Sequence, residues 1–93
     1  MIRHIVMWKF RPGTDAEQEK FLSGLQALQG VIPQLVRSEV ARNVAPGNYD
    51  AVLVSEFNSL EDLDAYKNDP RHQAVSKLCK SIREDRVAVD YEF

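Results

Sequence analysis

The chain has 93 residues, of which 44% are hydrophobic and 28% charged, and its formal net charge is −2 at pH 7. This composition is typical of one globular domain over 1–93 and argues against a disordered chain. Because the sequence has neither a basic stripe nor an apolar run of roughly 20 residues, we expect neither nucleic acid nor a membrane as its partner.

The N-terminal residues and the cysteine content indicate a reducing compartment. Arg3, His4 and Lys9 interrupt the apolar residues at the start, so this segment does not have the layout of a signal peptide. Cys79 is the single cysteine and falls on an apolar helix face, which predicts a small core residue rather than a nucleophile or a disulfide. We therefore expect a cytoplasmic protein.

The first segments predict a strand followed by a helix. β-Branched and aromatic residues indicate a strand over 2–11, and Arg11-Pro12-Gly13 forms a turn. Thr14 is expected to cap the helix, and Glu17 to complete a capping box. The helix is expected to stop at Gly30, and its apolar side holds Phe21, Leu22, Leu25 and Leu28.

Two further strands are predicted in the middle of the chain. A short connection over 31–34, around Pro33, leads into a half-polar segment over 35–44 that we interpret as a strand. Ala45-Pro46-Gly47-Asn48 is a strong turn signal. The segment over 49–57, YDAVLVSEF, has the composition of a strand that follows this turn.

The second half predicts a broken helix and a closing strand. Ser59 opens a helix with Asp62 as its capping-box partner, and Asp69-Pro70 breaks it, because proline suits the first turn of a new helix but not a helix interior. The next helix runs to about Ser81, and strict alternation over 86–93 predicts a last strand. The apolar side of the helix after Ser59 holds Leu60, Leu63 and Tyr66.

This order, β-α-β-β-α-β, predicts an α+β fold: a ferredoxin-like sandwich with a four-stranded antiparallel sheet and helices on one face. Strand alternation places Ile5 and Met7, with Val52 and Val54, on the face away from the helices. An exposed apolar sheet face on so small a domain needs a cover, and a second copy of the chain is the simplest one. We therefore expect a homodimer that packs sheet against sheet.

The two histidines both fall on apolar faces. His4 shares one side of the first strand with Val6 and Trp8, and His72 shares one side of the last helix with Val75. A buried imidazole must find hydrogen-bond partners or change its pKa. Two interpretations are open: the histidines satisfy local groups in the core, or they line an internal pocket where an imidazole performs acid–base chemistry.

In the catalytic interpretation, His72 is a general base, and Tyr66 donates a hydrogen bond to the oxyanion that develops. His4 either orients the ligand or sets the tautomer of His72. Two histidines without a nearby cysteine or carboxylate cluster do not make a zinc site, so we expect neither a metal nor a cofactor. The basic residues near the last helix are interpreted as its solvated face: Arg71, Lys77, Lys80 and Arg83.

Several segments together resemble the stress-responsive dimeric A/B barrel (Dabb) family. They are HIVMWKF at 4–10, Ile32-Pro33, the stretch 49–66, Pro70-x-His72, and DYEF at 90–93. The resemblance covers essentially the whole chain and implies a ferredoxin-like fold whose sheets pair in a barrel-like homodimer. Its members include plant stress-induced proteins without established chemistry, and olivetolic acid cyclase, which performs a cofactor-free intramolecular aldol condensation.

The resemblance to the cyclase implies that His4, Tyr66 and His72 occupy its histidine, tyrosine and catalytic-histidine positions. A pocket tyrosine of the cyclase is replaced by Leu25, so the wall of the pocket differs and the same substrate is not expected. Asp69 stands where many members have histidine. By family analogy, backbone carbonyls at the end of the first helix, near Gln29, Ile32 and Leu35, are a candidate site for a cation.

Two functions follow from these observations. The first is a homodimer with an internal pocket for a small apolar or aromatic ligand, whose wall comprises Val6, Trp8, Leu25 and Val75. The second is a cofactor-free enzyme of the polyketide cyclase or isomerase type, with a cofactor-free monooxygenase as a related alternative. An open cavity of about 300 Å³ or more with convergent polar groups would favour binding or catalysis, whereas a filled interface would favour a structural role.

Overall fold

The computed structural model describes residues 1–45 and 47–93. It contains four strands and three helices in the order β1, α1, β2, β3, α2, α3, β4. Their bounds are β1 Ile2–Phe10, α1 Asp15–Gln26, β2 Arg37–Arg42, β3 Ala51–Phe57, α2 Leu60–Asn68, α3 Pro70–Ile82 and β4 Arg83–Glu92. The predicted ferredoxin-like α+β fold is confirmed.

The sheet has the order β2-β3-β1-β4, and all neighbouring strands are antiparallel. The central strand β1 alternates between its two faces as predicted: His4, Val6 and Trp8 are buried under the helices, whereas Ile5 is half-buried and Met7 is exposed. We call the face that holds His4, Val6 and Trp8 the inner sheet face, and the face that holds Ile5 and Met7 the outer sheet face.

The helix starts confirm two of the three predicted caps. Ser59 accepts a hydrogen bond from the Asp62 amide at 3.1 Å, and Asp69 accepts one from the Arg71 amide at 2.9 Å. The capping box at Thr14 was wrong. The Thr14 hydroxyl donates to the Arg11 carbonyl at 2.6 Å, so it closes the preceding turn instead of capping the first turn of α1.

Two predictions of helix packing also need correction. Leu60 is 59% exposed, because it is the first residue of α2 and lies to the solvent side of the Ser59 cap. Leu28 is buried but lies beyond α1, which ends at Gln26 and continues as turns to Gly30. Gly30 has φ +83°, the left-handed conformation that ends helices.

The strand bounds differ from the predictions mainly at β2 and β4. The predicted strand over 35–44 is limited to Arg37–Arg42, and the strand predicted over 49–57 begins at Ala51. Part of the predicted turn over 45–48, Pro46, lies outside the described residues. The last strand begins at Arg83 rather than at 86, directly after α3, because β1 pairs with it as far as Phe10.

The β1–β4 ladder contains an irregularity that changes which side chains face inward. Lys9 pairs with Asp85, but Phe10 pairs with Arg83, so Glu84 is an extra residue in β4. Such a bulge reverses the alternation of the strand on one side of it. It places Arg83, not Glu84, opposite Phe10 on the inner side of the sheet.

Candidate functional site

A small cavity lies between the inner sheet face and the helices α1 and α3. Its volume is about 40 Å³, room for a water molecule or two rather than for an aromatic ring. We call it the imidazole cavity. It is lined by the two histidines, by an apolar wall and by polar or basic groups on α3 and β4: His4, Val6, Trp8, Phe21, Leu25, Leu53, His72, Ser76, Cys79, Arg83 and Arg86.

His4 forms a hydrogen bond with a carboxylate of β4. Its Nδ1 lies 2.5 Å from Oδ1 of Asp90, the residue that pairs with it across the β1–β4 ladder. Because a carboxylate can only accept, Nδ1 carries the proton and Nε2 keeps its lone pair. The Lys67 ammonium lies 3.9 Å from the other Asp90 oxygen. Burial lowers the pKa of His4, and the Asp90 carboxylate only partly offsets that effect.

His72 has the same tautomer for a different reason. Its Nδ1 donates to the Lys67 carbonyl at 3.2 Å, which connects the start of α3 to the end of α2. A carbonyl oxygen can only accept, so Nε2 is again the free basic nitrogen. Burial lowers the pKa of His72, and the positive charge of Arg86 acts in the same direction. His72 is therefore a neutral imidazole at pH 7, the form in which a general base works.

Tyr66 contacts His72 but does not line the cavity. The two ring centroids are 4.4 Å apart, and the Tyr66 side chain is fully buried. Its hydroxyl has no hydrogen-bond partner among the described residues. Burial raises the pKa of this phenol well above its ordinary value. An unpaired buried hydroxyl lowers stability, so its position is a cost that a ligand or a water molecule could offset.

The structure brings together most of the predicted site residues and corrects three of the predictions. Val6, Trp8 and Leu25 line the cavity with the two histidines. Val75 does not line it, because its methyl groups lie over Gly24 of α1, 3.5 Å from where a Cβ would be. Tyr66 lies behind His72 rather than in the wall. The cavity is also far smaller than the size at which an aromatic ligand would fit without rearrangement.

Two basic residues of the cavity wall, Arg83 and Arg86, were not predicted there from the sequence. Arg83 was interpreted as part of the solvated face of α3, but it begins β4, and the bulge turns it towards the cavity. Arg86 was not singled out, although it pairs with Trp8 on the same face. Alternation in the last strand could have found it, since Val87, Val89 and Tyr91 on one face leave the even-numbered residues on the other.

Asp90 was also missed as a site residue. The same alternation places it on the inner face, and β4 neighbours β1 in the predicted fold. A carboxylate opposite a histidine was therefore foreseeable from topology, although the register that pairs the two residues was not.

The side chains that could bind a metal ion are dispersed over the described part of the chain. No three His, Cys, Asp or Glu side chains come together there as possible ligands. Near the end of α1, the side chain of Gln29 accepts from the Ser38 amide at 2.6 Å, and the Ile32 carbonyl accepts from the Leu35 amide at 3.1 Å. Only the second of these acceptors is a backbone carbonyl of the kind that the resemblance implies for a cation.

The outer sheet face is an apolar surface bordered by charge. Two rows cross β3, β1 and β4, and they consist of Val54, Ile5 and Val89, and of Val52, Met7 and Val87. Beside them, Arg3 donates to Glu56 at 3.0 Å and to the Tyr91 hydroxyl at 2.8 Å. None of the helices in residues 1–45 and 47–93 is long and apolar enough to cross a membrane.

The model of the stress responsive A/B barrel domain family matches residues 2–93. The chain belongs to this family. It is 34% identical to an uncharacterised protein of Streptomyces coelicolor, with all of both chains covered. It is 30% identical to a stress-response A/B barrel domain-containing protein of Arabidopsis thaliana, where 98% of this chain matches 46% of that protein. The chain thus spans about half of the length of the plant relative.

Two solved structures have the same fold over nearly all of the chain. One is a dimeric protein of unknown function from Bacteroides fragilis, with 33% identity, a TM-score of 0.91 and coverage of 99% of this chain and 95% of that one. The other is a dimeric ferredoxin-like protein of unknown function from Thermobifida fusca, with 28% identity, a TM-score of 0.88 and coverage of 99% and 90%. Both are dimers, which supports self-association of this A/B barrel protein.

Proposed function

We propose that this A/B barrel protein is a homodimer that binds a small organic ligand at the imidazole cavity of each subunit. The observation that carries the proposal is that His4 and His72 line one cavity from opposite layers of the fold, and both keep a free Nε2. A purely structural core has little reason to hold two neutral imidazoles around the same space, since each costs desolvation.

Proton transfer is the chemistry that these two side chains favour. The neutral His72 can accept a proton from an acidic carbon or hydroxyl, and the carbonyl of Lys67 can stabilise the imidazolium that forms. His4, held by Asp90, can accept a hydrogen bond from the ligand and fix its orientation. The catalytic form of the proposal is therefore a cofactor-free isomerase or aldol-type cyclase with His72 as the base.

The size of the cavity limits the ligand. A volume of about 40 Å³, far below the roughly 300 Å³ of a preformed ligand pocket, holds only one or two water-sized groups. An organic ligand therefore requires side chains of the wall to move, and a polyketide chain or an aromatic ring requires the largest movement. The apolar part of the wall, which includes Trp8 and Phe21, favours a ligand with an apolar body. A cofactor-free monooxygenase would use the same base on a quinol-like ring, and it therefore requires the larger rearrangement.

The dimer is proposed to form through the outer sheet face. Its two apolar rows leave Met7 38% exposed and Val89 55% exposed in a single subunit. A second copy of the chain would cover both rows at once, and the partner's identical rows match them in polarity. A cytoplasmic location is part of the same proposal, and the buried, unpaired Cys79 is compatible with it.

Binding and catalysis can be tested with a neutral ketone, 2-butanone. We expect it to shift the NMR signals of His4, His72 and Trp8 while leaving those of Lys77, an exposed residue of α3, unchanged. In D2O the protein should accelerate exchange of the α-protons of the ketone about 10²-fold or more over buffer, as general bases do. His72→Ala should lose this acceleration and remain a folded dimer, and Lys77→Ala should keep it.

The outcomes separate the two forms of the proposal. Binding without exchange would identify a ligand-binding protein rather than a proton-transfer enzyme. Exchange that persists in His72→Ala would assign the base elsewhere. An absence of signal shifts at both histidines, with neutral probes of several shapes, would contradict the ligand site and favour a structural role for the polar cluster.

A further inference from the structure

The charged side chains that line the imidazole cavity are both positive. Arg83 and Arg86 are part of its wall, and no carboxylate of the described residues lines it. Asp90, the acid of β4 that pairs with His4, is already engaged by His4 and Lys67. Because both imidazoles are neutral, the wall has two positive charges that nothing in it balances.

These two guanidinium groups differ from most others in the protein. Within residues 1–45 and 47–93, neither has a carboxylate within 4.0 Å, whereas ion pairs with acidic residues hold Arg3, Arg37, Arg42 and Arg71. Arg83 lies beside the Cys79 thiol, where its positive charge counteracts the rise in the Cys79 pKa that burial causes. Arg83 is half-buried and Arg86 is exposed, and neither has, among the described residues, the oxyanion partner to which a guanidinium fork is suited.

The bulge in β4 places Arg83 on the inner side of the sheet, where regular alternation already places Arg86. Regular alternation from Asp90 through Arg86 would continue to Glu84, and a carboxylate would then lie opposite Phe10. The extra residue instead puts Arg83 at that position and excludes Glu84. Bulges of this kind are common next to functional sites, where they redirect a side chain. Here the bulge replaces a negative group in the wall by a positive one.

We propose that the ligand of the imidazole cavity is a small carboxylate with an apolar body, and that Arg83 and Arg86 bind its carboxylate group. This inference rests on the proposed ligand site and specifies the class of its ligand. The carboxylate lies at the arginine side of the cavity, and the apolar body extends along Val6, Trp8 and Leu25 towards the histidines once side chains of the wall move to enlarge the space. A carboxylate rather than a phosphate fits, because the volume is small and half of the lining is apolar, from Val6 and Trp8 to Leu53.

A pair of probes of equal shape tests the charge requirement: butanoate and its neutral amide, butanamide. Both are titrated at pH 7 and constant ionic strength into the protein, with the NMR signals of His4 and His72 as the readout. Hydrogen bonds to a charged group predict about ten-fold to a hundred-fold tighter binding of butanoate. The difference should fall to less than about three-fold in the variant Arg83→Gln/Arg86→Gln, and also markedly in Arg86→Gln alone.

The control variant is Lys80→Gln, which removes one exposed positive charge of α3 that does not line the cavity. It should keep the full preference for butanoate, which separates a local contact from general attraction by net charge. Since Arg83 packs beside Cys79, folding of the double variant is checked by circular dichroism, and Arg86→Gln alone serves if the double variant fails to fold.

Each result decides the inference. Equal binding of the two probes, or a preference that survives Arg86→Gln, would overturn the anion site while leaving the ligand site in place. No response to either probe would also overturn the carboxylate assignment, and the ligand site would then depend on the 2-butanone experiment alone. Preference for butanoate that is lost in both Lys80→Gln and Arg86→Gln would reduce the effect to long-range electrostatics and contradict the inference.

Discussion

The two faces of the sheet depart from the ordinary arrangement of polar and apolar residues in opposite ways. The inner face buries His4 under the helices beside an apolar wall, and the outer face leaves Met7 and Val89 exposed. Both departures cost free energy in an isolated subunit. The buried polar residues of the inner face surround one cavity, whereas the exposed apolar residues of the outer face form two rows that cross three strands. A small polar cavity suggests chemistry, and an extended apolar surface suggests a partner.

The apolar core that surrounds the cavity should dominate stability. Leu63 and Leu25 are each 2% exposed, and replacing either with alanine should lower the free energy of unfolding by about 2–5 kcal/mol. Lys77→Ala, on the exposed side of α3, should cost less than about 0.5 kcal/mol. Chemical denaturation at one fixed protein concentration measures all three. Similar midpoints would show that the assignment of inner and solvent-facing residues is wrong.

A charge on the outer face tests the other half of the comparison. Met7→Lys should weaken the dimer by about 3 kcal/mol or more, roughly a hundred-fold in dissociation constant, because it would bury an ammonium without a partner. The matched substitution Met7→Leu should leave association nearly unchanged. Sedimentation at low micromolar protein is the measurement. A wild-type monomer at that concentration, or a Met7→Lys variant that dimerises normally, would remove the outer face from the interface.

Acidification tests the neutral state of the inner histidines. The pKa of His72 is lowered in the folded protein from about 6.5, so the unfolded chain binds more protons in the interval between the folded pKa and 6.5. The stability that the neutral imidazole provides is present above this interval and is lost as the pH falls through the folded pKa. The charged or titratable groups that act on His72 are His4, Arg86 and Asp69.

We therefore expect the midpoint of thermal unfolding to move to lower temperature between pH 7.5 and 5. The free energy of unfolding should fall by about 1 kcal/mol or more for each unit by which a pKa is lowered. His72→Asn should reduce this dependence, since it leaves only His4 and the carboxylates to titrate. If stability depended on pH as steeply in His72→Asn as in the wild type, or if it rose on acidification, a neutral His72 would be contradicted.

The smallest expected effect concerns Tyr66. Its buried hydroxyl has no partner, so Tyr66→Phe should leave stability unchanged or raise it by up to about 1 kcal/mol. If the hydroxyl serves an intermediate, the same variant should weaken any turnover, by less than His72→Ala does. Denaturation and the proton-exchange assay together make the measurement. A loss of stability above about 1 kcal/mol would mean that the hydroxyl is hydrogen-bonded in the folded protein.

Alternation and capping explain how much of this could be predicted from the sequence. Ser59 and Asp69-Pro70 located two helix starts, because the side-chain oxygen and the proline act within a few residues. Thr14 met the same pattern and failed, since its hydroxyl oxygen accepts from the Gln18 side chain and not from a backbone amide of the first turn. Local patterns of this kind do not reveal which of two nearby partners a hydroxyl will choose.

The candidate site was predictable in its histidines and less so in its charges. His4 and His72 followed from periodicity within single elements. Asp90 required the register between β1 and β4, and Arg83 required the bulge at Glu84, which reverses the facing of one residue and leaves no mark in the hydrophobic pattern. The volume of the cavity was equally inaccessible, because it depends on how the helices pack on the sheet.

The base in the imidazole cavity depends on the tautomer and charge of His4 and His72. A long-range ¹H–¹⁵N correlation spectrum of the protein at pH 7 reports whether each ring nitrogen carries a proton. The account predicts that His4 and His72 are both neutral, protonated on Nδ1 and free on Nε2, and that both lose this state only below pH 6.5. A charged His72 at pH 7, or a proton on its Nε2, would leave the imidazole cavity without a base and contradict the account.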